Sequence, residues 1–192
     1  SEETGEAMLI DPVIVTQDRD LAEVARLGLK LAWTVETHVH ADHITGAIEL
    51  RKRTGCKVAA PATECVACAD LPLLEGQPLQ VGGIVLKPLH TPGHTSGHFA
   101  YVVDGRVFTG DALLIDGCGR TDFQNGDTDT LYDSVHRKLF ALPDDTLVYP
   151  AHDYQNRRVS SIAQEKARNP RLGEGKSLEE FRAIMAGLNL PY

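Results

Sequence analysis

Thr37-His38-Val39-His40-Ala41-Asp42-His43 places four side chains able to bind a metal within six positions, directly after the apolar run Leu31 to Val35. That run has the length and composition of a buried strand. Residues two apart on an extended chain share a side, so His38, His40 and Asp42 can face one pocket, and His43 arrives as the chain turns into the next helix. The plainer interpretation makes Asp42 an N-cap and the histidines surface residues. It suits a lone histidine and not four ligand types packed so closely.

Working outward, the same pattern returns three times. The strand Ile84 to Leu89 delivers His90-Thr91-Pro92-Gly93-His94-Thr95-Ser96-Gly97-His98, where Pro92-Gly93 forces a tight turn that can aim His94 inward. A hairpin follows, Phe99 to Val103 and Arg106 to Thr109 around the Asp104-Gly105 turn, and it ends at Gly110-Asp111. The strand Thr146 to Tyr149 runs into Pro150-Ala151-His152-Asp153-Tyr154. The candidates are therefore His38, His40, Asp42, His43, His94, Asp111 and His152, each at or just after a strand end. Converging imidazoles and carboxylates gain little stability unless a cation neutralises and orders them. His90 and His98 flank the turn and are weaker candidates, better read as hydrogen-bonding the backbone; His136 reads as a helix-surface or packing residue.

The remaining elements follow from periodicity and punctuation. Met8 to Ile10 and Val13 to Val15 suit strands or strand edges. A helix from Asp18 to Leu27, capped at Thr16 or Asp18, stops at Gly28, and a second from Ile44 to Thr54 stops at Gly55. Lys57 to Ala60 reads as a strand, residues 61 to 83 mostly as loop, and the Gly-rich stretch 112 to 126 as a functional loop. Asp127 or Thr128 caps a helix to Leu142. A polar helix is expected from about Asn156 to Arg168, and Ser177 with Glu180 makes a capping box for a last helix through Met185. Helix, strand and then ligand-bearing loop is an α/β arrangement with its chemistry at the carboxyl ends of strands. One domain, 1 to 192, is expected, with a helical tail from about 156 and a flexible joint only at Gly173 to Gly175.

Composition narrows the function. With 42% hydrophobic and 24% charged residues the chain reads as globular, and a net charge of -8 argues against nucleic acid or an anionic membrane as the main partner. A small substrate is expected. No run of about 18 apolar residues marks a membrane span, and the start SEETGEAM lacks the apolar core of a signal peptide. The expected location is the cytoplasm, with the mitochondrial matrix as the alternative. Cys56, Cys65, Cys68 and Cys118 are too few and too unevenly spaced for a disulfide framework, and the lone Cys65-x-x-Cys68 pair reads as ordinary thiols. Cys118 beside the loop reads as buried.

THVHADH, HTPGHTSGH, FTGDALL and YPAHDY, in that order, resemble the motif series of the metallo-β-lactamase superfamily over most of the chain. Within it, Gly119-Arg120-Thr121-Asp122-Phe123-Gln124, the NPRL tail and the LNLP stretch resemble the persulfide dioxygenases of the ethylmalonic-encephalopathy protein family. The resemblance implies an αββα sandwich with the metal at one edge. Members usually carry two further N-terminal strands ahead of the segment matching Met8 to Ile10. Their absence here leaves the expectation of an uncovered edge on one sheet.

The resemblance offers two metal arrangements. In hydrolase members such as glyoxalase II, residues matching His38, His40, His94 and Asp111 hold one zinc, and Asp42, His43, His152 and the bridging Asp111 hold a second. In persulfide dioxygenases one Fe(II) per chain is held by the residues matching His38, His94 and Asp111, a two-histidine, one-carboxylate triad with open positions for dioxygen chemistry. His40, Asp42, His43 and His152 then orient ligands and waters, with His40 and His152 placed as the catalytic pair. The implied substrates are glutathione persulfide and O2, and the products sulfite and glutathione.

Arg120 is the first choice for holding a glutathione carboxylate and Tyr154 the second, through its hydroxyl. Arg120 can instead make a structural salt bridge with Asp122 or Asp116, and Tyr154 can pack at a sheet edge. The resemblance further implies a homodimer and a functional link to a rhodanese-type sulfurtransferase. A zinc-dependent hydrolase of S-lactoylglutathione is the alternative function, disfavoured because only some 35 residues follow Asn156, too few for that enzyme's helical substrate domain. A non-catalytic member would typically lose ligands, and all seven are present.

Overall fold

The computed structural model describes residues 1 to 64, 66 to 173 and 175 to 188, in two compact units, Ser1–Pro88 and Leu89–Tyr192. Cys65 of the CxxC pair and most of the LNLP stretch lie outside the described residues.

The first unit is built on four parallel strands in the order β1 (Glu6–Ile10), β2 (Lys30–Val35), β3 (Lys57–Pro61), β4 (Leu71–Leu73). Helices α1 (Gln17–Arg26) and α2 (Ala47–Thr54) supply the crossovers, and Leu31, Leu50 and Cys56 form a buried cluster with Leu9, Leu21 and Val24 against it. Parallel strands end at the same edge. Ile10 lies opposite Val35, so the residues just beyond, Asp11 and Glu36, leave the sheet side by side, with Asp11 N donating to Val35 O at 2.9 Å. The unit closes with an antiparallel hairpin of β5 (Leu79–Val81) and β6 (Ile84–His90), whose last two residues belong to the second unit.

Two expectations need correction here. Val13 to Val15 is not a strand: residues Ile14–Thr16 form a 3-10 turn, and α2 begins at Ala47 and not at Ile44. One cause explains both. Residues 44 to 46 are tied back onto 12 to 14 by Ile14 N to Ile44 O (3.0 Å) and Gly46 N to Pro12 O (2.6 Å), so neither stretch is available to a helix or a longer strand. Residues 61 to 83 also contain β4 and β5, which at three residues each are too short to show a period.

In the second unit the strands run in the order β10 (Ser160–Ser161), β9 (Leu147–Pro150), β8 (Arg106–Gly110), β7 (Phe99–Val103). β7 and β8 form the expected Asp104-Gly105 hairpin, while β8 and β9 are parallel with Gly110 opposite Pro150. That register sends Asp111 and His152 off the same edge. Helices α3 (Thr128–Ser134), α4 (Ile162–Arg168) and α5 (Leu178–Ala186) complete the unit, and Val107, Leu131, Val135, Leu139, Val148, Ile162 and Phe181 make its core. Asp127 caps α3 and the Ser177-Glu180 capping box is formed. Beyond Ser134 the helix widens to i to i+5 bonding, with Phe140 N on Val135 O at 2.8 Å.

The polar helix begins at Ile162, not near Asn156. Asn156 and Arg158 are left-handed (φ 56° and 67°), and the Asp153 carboxylate collects the amides of Gln155, Arg157 and Arg158 into a loop instead. The NPRL tail has a structural role. Asn169, almost fully buried, donates from Nδ2 to Gly117 O (3.0 Å) and Glu165 Oε2 (2.9 Å) and accepts the amides of Arg171 (3.0 Å) and Leu172 (3.1 Å). Removing it takes one donor from the buried Glu165 carboxylate and strips several backbone groups of their partner. Asn169→Ala is expected to cost about 2–4 kcal/mol in chemical denaturation; an unchanged midpoint would show that the network is dispensable. No helix among the described residues is long and apolar enough to cross a membrane.

Candidate metal centre

In the first unit the ligand loop is held by a carboxylate that sequence reasoning overlooked. Asp11 adopts a left-handed conformation (φ 49°), which aspartate tolerates, and turns its side chain back onto the neighbouring strand end. Its Oδ1 accepts the Thr37 amide at 2.7 Å and its Oδ2 the Thr37 hydroxyl at 2.8 Å. With that hydroxyl proton committed, the 2.9 Å contact between Thr37 Oγ1 and His38 Nδ1 requires the histidine to donate. The buried His38 therefore carries its lone pair on Nε2. This is a carboxylate, hydroxyl, imidazole chain that fixes both tautomer and ring orientation.

His40 is placed differently. Its Nε2 lies 3.1 Å from Asp11 Oδ1 and 3.4 Å from Glu36 Oε2, and Glu36 is buried and accepts the Thr45 hydroxyl. Burial opposes charge on the ring, but the hydrogen bonds and negative charges of Asp11 and Glu36 outweigh it and push the His40 pKa up to about 10. Its ring stands 4.1 Å from that of His38 and 4.2 Å from that of His43, and His43 Nδ1 is 3.2 Å from Asp42 Oδ2. So this unit gathers His38, His40, Asp42 and His43, as the motif predicts, and His40 Nε2 faces two carboxylates that favour its charged form in the metal-free chain. Because the folded pKa lies above the ordinary 6.5, these pairs stabilise the metal-free fold fully below pH 6.5 and lose that contribution as pH rises through about 10. Nitrogen NMR of the metal-free protein is expected to find His40 as imidazolium at pH 8; titration near 6.5 would contradict the assignment.

In the second unit, His94, Asp111 and His152 come together. Asp111 Oδ2 is 3.5 Å from His94 Nε2 and its Oδ1 is 3.7 Å from His152 Nε2. His94 and Asp111 are buried, and His152 is half-buried. His94 Nδ1 is 2.8 Å from the Arg120 carbonyl, an acceptor only, so Nδ1 carries a proton and Nε2 is the ring atom turned toward the carboxylate. Imidazole nitrogens and a carboxylate suit iron or zinc, so the donor set fits the expected metal.

The turn holding His94 is shaped by its neighbours. Gly93 has φ 132°, and a Cβ there would stand 2.3 Å from the backbone of Leu131 in α3, so only glycine fits. Gly119 lies as tightly on the other side, where a Cβ would meet Asp111 O at 2.6 Å and His94 Nδ1 at 2.7 Å. As expected, the flanking histidines are otherwise engaged. His90 Nε2 is 3.2 Å from Ser96 O, while the fully buried His98 accepts the Asp111 amide at Nε2 (3.1 Å) and contacts Thr91 Oγ1 through Nδ1 (2.9 Å). His136 is stacked on Tyr132 at 4.0 Å, a packing role.

The Arg120 guanidinium makes a two-pronged pair with Asp122, Nε to Oδ1 at 2.6 Å and Nη2 to Oδ2 at 2.9 Å, and lies 5.8 Å from the Phe123 ring. The salt bridge weighed against substrate binding is thus present. Asp116 pairs with Arg157 and Arg168 instead. Tyr154 is 85% exposed, which rules out the packing role, and its ring lies parallel to that of His152 at 6.0 Å. Cys118 is buried, and burial pushes its thiol up to about 11, partly offset by Arg171. It is an inert thiol.

A carboxylate and histidines leaving parallel strand ends, carried by this motif series, define a class. Residues 2–152 match the model of the metallo-beta-lactamase superfamily, and the chain has that fold. Its similarity is narrower than that. It is 49% identical over 192 residues to the persulfide dioxygenase ETHE1, mitochondrial, of Homo sapiens, covering 98% of this chain and 74% of the relative. The crystal structure of ETHE1 from Myxococcus xanthus matches with a TM-score of 0.96 and 53% identity, over 100% of this chain and 84% of that one. A hydroxyacylglutathione hydrolase of Rhodopseudomonas palustris is 37% identical over 172 residues, covering 88% of this chain and 66% of the relative. The chain belongs to the ETHE1 persulfide dioxygenase family of the metallo-β-lactamase superfamily.

Proposed function

We propose that the chain is a non-haem Fe(II) persulfide dioxygenase that converts glutathione persulfide, O2 and water to glutathione, sulfite and two protons, with residues 1–192 acting as one catalytic domain. In this reading His38, His94 and Asp111 hold a single iron. A ferrous ion held there supplies the one-electron chemistry by which ground-state dioxygen can react with a persulfide sulfur. The protein contributes order and charge. Asp11 and Thr37 hold His38 in the Nε2 lone-pair form, and the Arg120 carbonyl does the same for His94. His40, beside Asp11 and Glu36, and His152, beside Asp111, are proposed to hold or pass protons and to orient water.

The observation that carries a one-iron reading over a two-zinc hydrolase is the degree of similarity to each: 49% identity over 98% of the chain to a persulfide dioxygenase, against 37% over 88% to a hydroxyacylglutathione hydrolase. The match to the Myxococcus xanthus ETHE1 structure supports the same side.

Arg120 is proposed to hold a glutathione carboxylate by exchanging its Asp122 partner for the substrate, with the exposed Tyr154 hydroxyl as a second contact. Losing one charge-assisted pair is worth about 1.5–3 kcal/mol, so Arg120→Ala should raise the apparent KM about 10- to 100-fold with a smaller change in kcat. A fall in kcat at unchanged KM would assign Arg120 elsewhere. The compartment proposed is the cytoplasm, with the mitochondrial matrix as alternative. A homodimer and a functional link to a rhodanese-type sulfurtransferase, which handles the same sulfane sulfur, belong to the same proposal. Oxygen-electrode assays with glutathione persulfide test it: uptake matched by sulfite release is expected, whereas cleavage of S-lactoylglutathione without oxygen uptake would establish the zinc hydrolase.

A further inference from the structure

We propose that His98 is a positioning residue for the metal site: through Nε2 it fixes the backbone of Asp111, and through Nδ1 it ties that backbone to the turn carrying His94. The proposal rests on the reading of His94 and Asp111 as metal ligands and adds to it a residue that touches neither metal nor substrate.

The geometry assigns every polar atom of the ring. The Asp111 amide donates to His98 Nε2 at 3.1 Å and so occupies the lone pair there. The proton must then sit on Nδ1, which donates to Thr91 Oγ1 at 2.9 Å. A ring with its lone pair filled by an amide has nothing left for a metal, which is why the third histidine of the HTPGHTSGH stretch is no ligand. Backbone amides at a strand end ordinarily find a carbonyl. Asp111 stands one residue past the end of β8 and uses this buried imidazole instead.

The second half of the device is the turn. Thr91 N donates to His98 O at 2.8 Å, so residues 91 and 98 are joined through both backbone and side chain, and His94 rides on the loop that they close. The His98 ring also meets that of His94 edge-on, 6.1 Å apart at 85°. One side chain, fully buried, therefore sets the separation of two ligand-bearing segments whose nearest ligand atoms are 3.5 Å apart. A small rotation of the Asp111 peptide would swing its carboxylate out of register with His94, and partners one bond removed from a ligand typically govern 10- to 100-fold of metal affinity.

The test titrates the metal-free chain of residues 1 to 192 with Fe(II) under anaerobic conditions in His98→Gln, His98→Asn and His98→Phe, with Asp111→Ala as the reference. Glutamine can place an acceptor where Nε2 stands. Asparagine reaches only the Nδ1 position, and phenylalanine fills the volume with no polar atom. Fe(II) binding is expected to weaken about 10- to 100-fold in the Asn and Phe variants and to recover most of that loss in Gln. The electron paramagnetic resonance signal of the nitric oxide adduct should broaden in Asn and Phe and sharpen again in Gln. Wild-type affinity in all three, or a Gln variant as weak as Phe, would overturn the proposal. Should His98→Phe fail to fold, the Asn and Gln pair decides it, equal affinities again overturning it. Wild-type iron binding by Asp111→Ala would instead remove the ligand reading beneath it, and the proposal would fall with it.

Discussion

Asp111→Ala protein purified without oxygen is expected to contain no iron and to consume no O2 with glutathione persulfide, while keeping its fold. The side chain faces His94 Nε2 and His152 Nε2, whereas its main-chain bonds, amide to His98 and carbonyl to the Gly119 amide, survive the substitution. Outer residues that merely orient ligands account for about 10- to 100-fold of metal affinity, so a direct ligand should account for more. Stability should move the other way. Without metal, Asp111 is a largely buried carboxylate, and its removal relieves a desolvated charge. The metal-free variant should therefore melt no lower than the metal-free wild type, and a melting point well below it would mean that Asp111 serves the fold and not the metal.

Gly119→Ala is expected to damage both metal binding and stability. Its new Cβ would lie 2.6 Å from Asp111 O and 2.7 Å from His94 Nδ1, and neither can retreat freely. The Asp111 carbonyl accepts the Gly119 amide at 2.7 Å, and His94 Nδ1 is anchored to the Arg120 carbonyl at 2.8 Å. Relief requires moving a ligand or the loop. Overpacking of this kind costs about 1–3 kcal/mol, equivalent to roughly 2–12 °C in melting temperature for a chain of this size. Fe(II) affinity should fall at least about tenfold, since both ligands are displaced together. Calorimetry and Fe(II) titration check the two parts separately; wild-type values in both would mean that the 119 loop can yield without disturbing His94.

The local chemistry of the site was more legible than its support. The candidate site residues His38, Asp111 and His152 each stand just past a strand that its own apolar run announces, so they could be read from position alone. Asp11 carries the same signal, a carboxylate closing the run Met8 to Ile10, yet its partner lies 26 residues away on the adjacent strand and only sheet register brings the two together. Glu36 is hidden for a different reason. A carboxylate ahead of a ligand loop looks solvated until burial and the pairing with His40 are seen. The helix expected from Asn156 shows how a side chain overrides propensity, since Asp153 captures three amides that the helix would have needed. Helices with strong local signals, such as those capped by Asp127 and Ser177, stand where the sequence puts them.

The central claim is that one ferrous ion, held by two imidazoles and one carboxylate, makes this chain an oxygenase and not a two-metal hydrolase. Its most direct test is Fe(II) added anaerobically to the metal-free chain, with persulfide-dependent oxygen uptake read at each addition. Uptake should rise linearly and break at one iron per chain, with further metal changing nothing. A break at two metals per chain, or full activity with zinc in place of iron, would contradict the account.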